Sequence, residues 1–420
     1  MNPNVLLVVL DSTRAENVSL YGHDNETTPF LETFAEDATT YTQARSPSIH
    51  SITSHVSLFT GETIEEHQAL EIDANIDVDR TVWKTLQGDG YSTGLFTPNL
   101  IVSKSSNLSA CFETVERPDD DEGPRQPAQR YARAFLDWQA DRDGPWAACL
   151  NLMDSHWPYT PEDEYDRWTT PTMLHVANEV YGDPIAPQYA GGRAWGELDT
   201  LEAFYDGGIR QSDHAVREIV ETLKRRNALD DTLVVVTSDH GEGFGERSRV
   251  EPAVRLADHN WGIHECLTHV PLVVRYPGQT ESEVVERVVS LTDFPRVVAE
   301  TVDGTADSSS FVTDGPVFSS TYRLREEDRD QFDADVSDYI GPWRAIYTDG
   351  ERGVEKRVAS RNRGALVTVR DAQNAWTEKR LDPAEIHARF EGREKTSRPD
   401  GRDVDGAVAE RLRELGYFPE

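Results

Sequence analysis

Lysine is scarce in this 420-residue chain: only Lys84, Lys104, Lys224, Lys356, Lys379 and Lys395 contribute to its 42 basic residues, and the rest are arginine. Cysteine is scarcer still. Cys111, Cys149 and Cys266 are too few and too scattered for a disulfide framework or a paired-cysteine metal site, which fits a reducing compartment. No apolar run approaches the roughly 20 residues of a membrane-spanning helix. The chain enters a β-prone run at Val5 without a basic leader or a small-residue cleavage site. A soluble, cytoplasmic protein with no membrane span is expected. Basic stretches interleaved with aromatics are also missing, which argues against a nucleic-acid partner.

Acid is abundant instead, with 76 Asp and Glu giving a formal net charge of −34. The acids run along the whole chain and are not gathered in one tail, so adaptation to a salt-loaded cytosol is favoured over an acidic face for a basic partner. Such a charge repels itself in dilute buffer. Near 1 M salt the Debye length contracts to about 3 Å, and the acids then act mainly as a hydrated skin. The composition reads as halophilic.

Strand-like and helical runs alternate through 5–10, 29–37, 53–59, 91–96, 129–140, 146–153, 201–226, 232–237 and 270–276. This rhythm predicts an α/β fold with a mainly parallel sheet flanked by helices. Two stretches interrupt it: 117–127 is acidic and reads as a solvated loop, and 161–196 is long enough for a substrate-facing lid. From about residue 311 the texture changes to short β-prone pieces at 344–347, 354–359 and 365–369, split by Asp-Gly and Arg-Gly turns, with a last helix at 406–415. An α/β catalytic domain over 1–310 and a small, largely antiparallel C-terminal subdomain over 311–420 are expected.

The chemistry gathers at two strand ends. The run 232–237 delivers Asp239 and His240, and the run 5–10 delivers Asp11, followed by Ser12 and Arg14. One such end reads as a turn with a capping Asp. Two matched ends in one open α/β sheet favour a shared divalent cation, because ligands of such sheets lie beyond the carboxyl ends of the strands. Carboxylates with one imidazole suit Mg²⁺, Ca²⁺ or Mn²⁺, with Zn²⁺ less favoured. Between them, Ser51 stands at the mouth of a short helix stopped by Gly61; it reads either as an N-cap or as a nucleophile and metal ligand beside an anion-binding helix start. Arg14 reads equally as a clamp for an anionic substrate or as the partner of Glu16 or another acid.

These motifs resemble the sulfatase family of the alkaline phosphatase superfamily over nearly the whole length. The N-terminal strand with Asp11, Thr28-Pro29-Phe30-Leu31, Ser51 through Gly61, Ser238-Asp239-His240-Gly241-Glu242 and Val270 through Gly278 each match a family element, and Arg411 through Tyr417 has the family's look. The resemblance implies an alkaline-phosphatase-like fold. It implies one divalent metal ion on Asp11, Asp239, His240 and Ser51, with Ser51 at the nucleophile position. It further implies His156 and His259 at the substrate oxyanion and leaving group, and Arg14, His55 and Lys104 as substrate-binding candidates.

Departures from the family pattern are equally specific. Thr53 stands where Pro or Ala is expected in the Cys/Ser signature and His55 where Arg is expected, which argues against conversion of Ser51 to formylglycine. Ser12 replaces a second Asp, and the Gly-Lys-Trp-His-Leu-Gly segment is missing, with Lys104 in the corresponding region. Three readings follow. The first is a sulfuric ester hydrolase acting on small-molecule or glycan esters. The second is a phosphodiesterase or phosphoglycerol-transferase-like enzyme using unmodified Ser51. The third is a degenerate relative that only binds glycans.

Overall fold

The structure is a computed structural model. It describes residues 2–119, 126–181, 194–251, 255–326, 329, 337–393, 399–402 and 404–414. Parts of the expected loop 117–127 and lid 161–196, and the end of the last helix with the tail 415–417, lie outside the described residues.

The apolar runs read from the sequence become the middle of an eight-stranded sheet. Its strands are β1 (Asn4–Leu10), β2 (Thr39–Arg45), β3 (Ser92–Phe96), β4 (Thr114–Glu116), β5 (Trp146–Leu152) and β6 (Thr232–Thr237). After a small two-stranded ribbon, β7 (Phe244–Arg247) with β8 (Arg255–Ala257), come β9 (Leu272–Arg275) and β10 (Glu283–Ser290). The order across the sheet is β10-β2-β9-β6-β1-β5-β3-β4. All eight run parallel except β9, which is antiparallel to both β2 and β6.

β1 shows why its residues form a strand buried on both faces. Val5, Leu7 and Val9 pack toward Ile52, Val56, Phe59 and Trp83, while Leu6, Val8 and Leu10 pack toward Tyr131, Phe135, Val216 and Ile219. The first face carries the helices Ser51–Thr60, Val82–Gly88 and Phe294–Val302. The second carries Pro29–Phe34, Ala128–Ala140 and the long Trp195–Arg225. The mainly parallel α/β arrangement expected from the alternation is therefore present.

A separate five-stranded antiparallel sheet follows: β11 (Val317–Thr321), β12 (Trp343–Gly350), β13 (Gly353–Ala359), β14 (Gly364–Asp371) and β15 (Asn374–Leu381), in sequential order. Its inner face, with Trp343, Tyr347, Val358 and Val367, packs on Ile49, Leu256, Trp261 and Ile263. The C-terminal sheet thereby rests on the loops that carry the site.

The differences from expectation have local causes. The helix expected at 201–226 begins six residues earlier, at Trp195. The helix Pro171–Tyr181 forms inside the stretch read as lid, where Pro171 at its first turn supplies the helix start that a search for apolar period overlooks. Strands β2, β10 and β15 carry Thr, Gln, Glu, Arg and Lys among their apolar residues, which blurs the strand pattern.

Candidate active site

β1 and β6 are neighbours in parallel register, with Val9 opposite Thr237. That pairing places Asp11 and Asp239 side by side beyond the two strand ends. Ser12, at φ 63°, turns the chain there and donates its backbone N–H to Asp239 Oδ1 at 3.2 Å. The His240 N–H reaches the same oxygen at 3.0 Å, and Thr13 N–H donates to Ser238 Oγ at 2.9 Å. The two tips are thus tied together by backbone donors, and both acids are fully buried.

Asp11 Oδ2 accepts from Asn99 Nδ2 and Asn151 Nδ2, each at 2.9 Å. Burial opposes its ionisation, yet His156, His240 and the Asn151 amide together hold its pKa below the ordinary value. His240 donates Nδ1–H to its neighbour Gly241 O at 3.0 Å, which fixes the ring and leaves Nε2 as the lone-pair nitrogen. Nε2 lies 3.6 Å from Asp239 Oδ2, 4.0 Å from Asp11 Oδ1 and 3.5 Å from Ser51 Oγ. Burial pushes the pKa of His240 down despite Asp239, keeping the imidazole neutral, as a metal ligand requires.

The fit to a cation rests on one atom in particular. Asp239 Oδ2 is buried and accepts no hydrogen bond, a costly state for a carboxylate oxygen without a charge partner. Ligand atoms of Asp11, Asp239 and His240 all lie within 4.8 Å of one another. Hard oxygens with one imidazole suit a divalent ion.

Ser51 is the first residue of the helix Ser51–Thr60, with His50 before it and Gly61, at φ 76°, ending it. His55, one turn along, donates Nδ1–H to Ser51 O at 2.8 Å and lies 3.5 Å from Asp239 Oδ2. It is fully buried, so it underpins the Ser51 backbone and the acid together.

His259 and His156 complete the group. The His259 ring lies 4.4 Å from that of His240 and 5.4 Å from that of His156, centroid to centroid. His259 Nδ1 lies 2.8 Å from Asp258 Oδ1 and 3.3 Å from Glu242. Burial works against its charge, but Asp258 and Glu242 outweigh it and push the pKa up to about 10. Tyr159 OH holds Glu242 Oε2 at 2.8 Å. His156 donates Nδ1–H to Trp157 O at 2.6 Å.

Two candidates sit differently. The Arg14 guanidinium is buried and bonded to Asn17, Glu246, Glu202 at 2.7 Å and Glu242 O at 3.1 Å, with Glu16 adding to the negative charge around it. Lys104 is half-buried at the end of the short helical turn Ile101–Ser105, which packs beside Ser51–Thr60. Asn99, Asn151 and Asp258 were missed by sequence reasoning. A signal existed only for Asn151, a lone polar residue inside an apolar strand.

Comparison with known proteins gives the fold and the family. An ulvan-active sulfatase of Formosa agariphila is 22% identical over 305 residues, covering 66% of this chain and 56% of its own length. Arylsulfatase K of Bos taurus is 22% identical over 341 residues, covering 69% and 61%. The chain thus spans less than two thirds of these curated relatives. Among solved structures, the phosphonate monoester hydrolase of Agrobacterium radiobacter superposes with a TM-score of 0.66 at 18% identity, covering 99% of this chain and 94% of that one. A structure in complex with D-glucosamine-2-N,6-O-disulfate also gives 0.66, at 14% identity, covering 99% and 98%. Residues 3–304 match the Sulfatase family model, and the chain belongs to the sulfatase family.

Proposed function

We propose that this protein is a metal-dependent hydrolase of anionic esters, with a sulfate ester of a small molecule or glycan as its substrate. The observation that carries the reading is the meeting of Asp11, Asp239, His240 and Ser51 around the bare oxygen of Asp239. Those four residues would hold one Ca²⁺, Mg²⁺ or Mn²⁺ ion, which when bound polarises an ester oxygen and lowers the pKa of a hydroxyl. Ser51 Oγ gives up its proton to solvent and forms the new bond to sulfur or phosphorus as the bond to the ester oxygen breaks, and water then cleaves the Ser51 ester to release sulfate or phosphate. The departing ester oxygen needs a proton. His259 keeps one available up to a pH of about 10, and His156 stands beside it to orient the departing group.

A second reading, phosphodiester or phosphonate ester hydrolysis by unmodified Ser51, is favoured by Thr53 and His55 in the signature segment and by the phosphonate monoester hydrolase fold neighbour. A purely glycan-binding protein would bind anions without turnover. The test is a panel of aryl sulfates, aryl phosphonates and bis-aryl phosphates at high salt, with each divalent ion restored after chelation. The intact mass is read in parallel, because formylglycine made from Ser51 removes two hydrogens. Asp239→Ala should abolish turnover and metal dependence together. Unchanged turnover in that variant would refute the assignment.

A further inference from the structure

Beyond the proposed divalent ion and the His259 imidazolium, no arginine of the site described so far is aimed at the anionic oxygens of an ester. The signature arginine is replaced by His55, and Arg14 is taken up by Glu202 and Glu246. The C-terminal sheet offers a substitute. Its first strand, β11, is stitched to the loop leading into Ser51: Ser320 N–H donates to Pro47 O at 3.0 Å, Ser319 Oγ to Ser46 O at 2.6 Å, and Ser48 Oγ to Ser320 O at 2.9 Å. Just past this seam the chain presents Tyr322 and Arg323. Tyr322 OH is held between Glu65 Oε1 at 3.1 Å and Arg344 Nη2 at 2.6 Å, and Arg323 N–H donates to Thr321 Oγ1 at 3.3 Å.

The Arg323 side chain is anchored at its base and unspent at its tip. Its Nη1 is buried without a hydrogen-bond acceptor. Among the described residues no carboxylate lies within ion-pair distance of its guanidinium. A buried guanidinium donor left unmatched is costly, so the position makes sense when an acceptor arrives from outside the protein. The charge is felt at the site. Asp258, the partner of His259, is held down chiefly by His259 against burial, with Arg323 adding to the effect.

We propose that Arg323 is a substrate-binding residue, which donates to the anionic oxygens of the ester from the bend just after β11, outside the region 3–304 matched to the family model. The proposal rests on the reading of the site as an ester hydrolase. In physical terms the C-terminal subdomain adds a forked donor to the anion site of the α/β sheet. Arginine suits the task because its planar fork can grip two oxygens of a tetrahedral anion.

The test uses the full chain at high salt with its divalent ion, on whichever ester of the panel the wild type turns over. Arg323→Met, which keeps the stem, should lower kcat/KM by about 100-fold, and weaken inhibition by orthovanadate to a similar degree. Arg323→Lys should fall between, since it restores a point charge without the fork. Added guanidinium ion should recover part of the Arg323→Met activity and leave the wild type unstimulated; a merely structural loss would show no such rescue. Wild-type kcat/KM and vanadate inhibition in Arg323→Met would overturn this inference alone. A wild type inactive on every anionic ester would overturn the hydrolase reading and this inference with it.

Discussion

Asn151 reaches from β5 to Asp11 at the end of β1 and donates its amide to Oδ2 at 2.9 Å. Its own Oδ1 is held by Thr97 Oγ1 at 2.9 Å, so the amide is oriented before it meets the acid. With Asn99 on the same oxygen, Asp11 is left with Oδ1 facing His240. Such supporting groups set the aim of a ligand without touching the ion. Asn151→Ala should therefore weaken divalent-ion affinity roughly 10- to 100-fold, read as a shift of the activation midpoint to higher ion concentration when ions are titrated back after chelation. An unmoved midpoint would show that Asp11 needs no such guidance.

Gly241 carries a sharper constraint. A Cβ at this position would lie 2.0 Å from Cys266 O and 2.8 Å from Arg14 Cβ, and its N–H donates to Leu267 O at 2.9 Å. Backbone meets backbone here, so there is no flexible side chain to give way. Gly241→Ala should cost about 1–3 kcal/mol, the usual range for overpacking. It should also displace the carbonyl that holds His240 Nδ1. Thermal melting and metal titration would each register the change, and a variant matching the wild type in both would contradict the close approach.

Much of this site was legible in the sequence because strand ends are local features. An apolar run such as Val5 to Leu10 declares a strand, and parallel neighbours must bring their carboxyl ends to one edge of the sheet. Asp11, Asp239 and His240 follow from that alone. The reversed direction of β9 was not legible, since an apolar run says nothing about its polarity. Asn99 and Arg323 were equally hidden, because each acts across a long sequence gap and belongs to no motif, whereas Asp258 stands next to His259 and its hold on the ring required the turn to be seen. His55 shows a third situation: its position in the signature was visible, but its grip on Ser51 O required the helix to be seen.

Two histidines outside the site govern behaviour in acid. His264 packs its ring against Trp261 and Trp343, and burial, then Lys356, pushes its pKa down to about 3. His269 donates Nε2–H to Thr42 O at 2.8 Å, and burial, then Arg45, lowers its pKa to about 3 as well. Both are neutral in the folded chain. Below about 6.5 the unfolded chain takes up these protons while the folded chain refuses them until about 3, so the unfolded state binds more protons in that window. Stability is therefore present above 6.5 and lost as pH falls toward 3, with a slope of about 1.4 kcal/mol per pH unit for each group. His264→Phe keeps the aromatic packing and removes one titration. Its melting temperature should fall less steeply between pH 6.5 and 4 than that of the wild type, and parallel curves would disprove the assignment.

The net charge of −34 makes the last prediction. Many of the acids are exposed and outnumber their basic partners, so at low ionic strength they repel across the surface. Raising KCl from about 0.1 to 1 M shortens the Debye length from about 10 to 3 Å, which silences repulsion between separated surface acids. It leaves buried pairs such as Arg45 with Glu265 at 3.0 Å largely intact. The melting temperature should therefore climb with salt, and most steeply below 1 M, where the screening length changes most. Exchanging exposed acids such as Glu36, Asp79 and Glu410 for Lys should flatten that climb and improve stability at low salt. If melting were flat from 0.1 to 2 M KCl, the surface charge would carry no energetic weight, and the acidic composition would need another explanation.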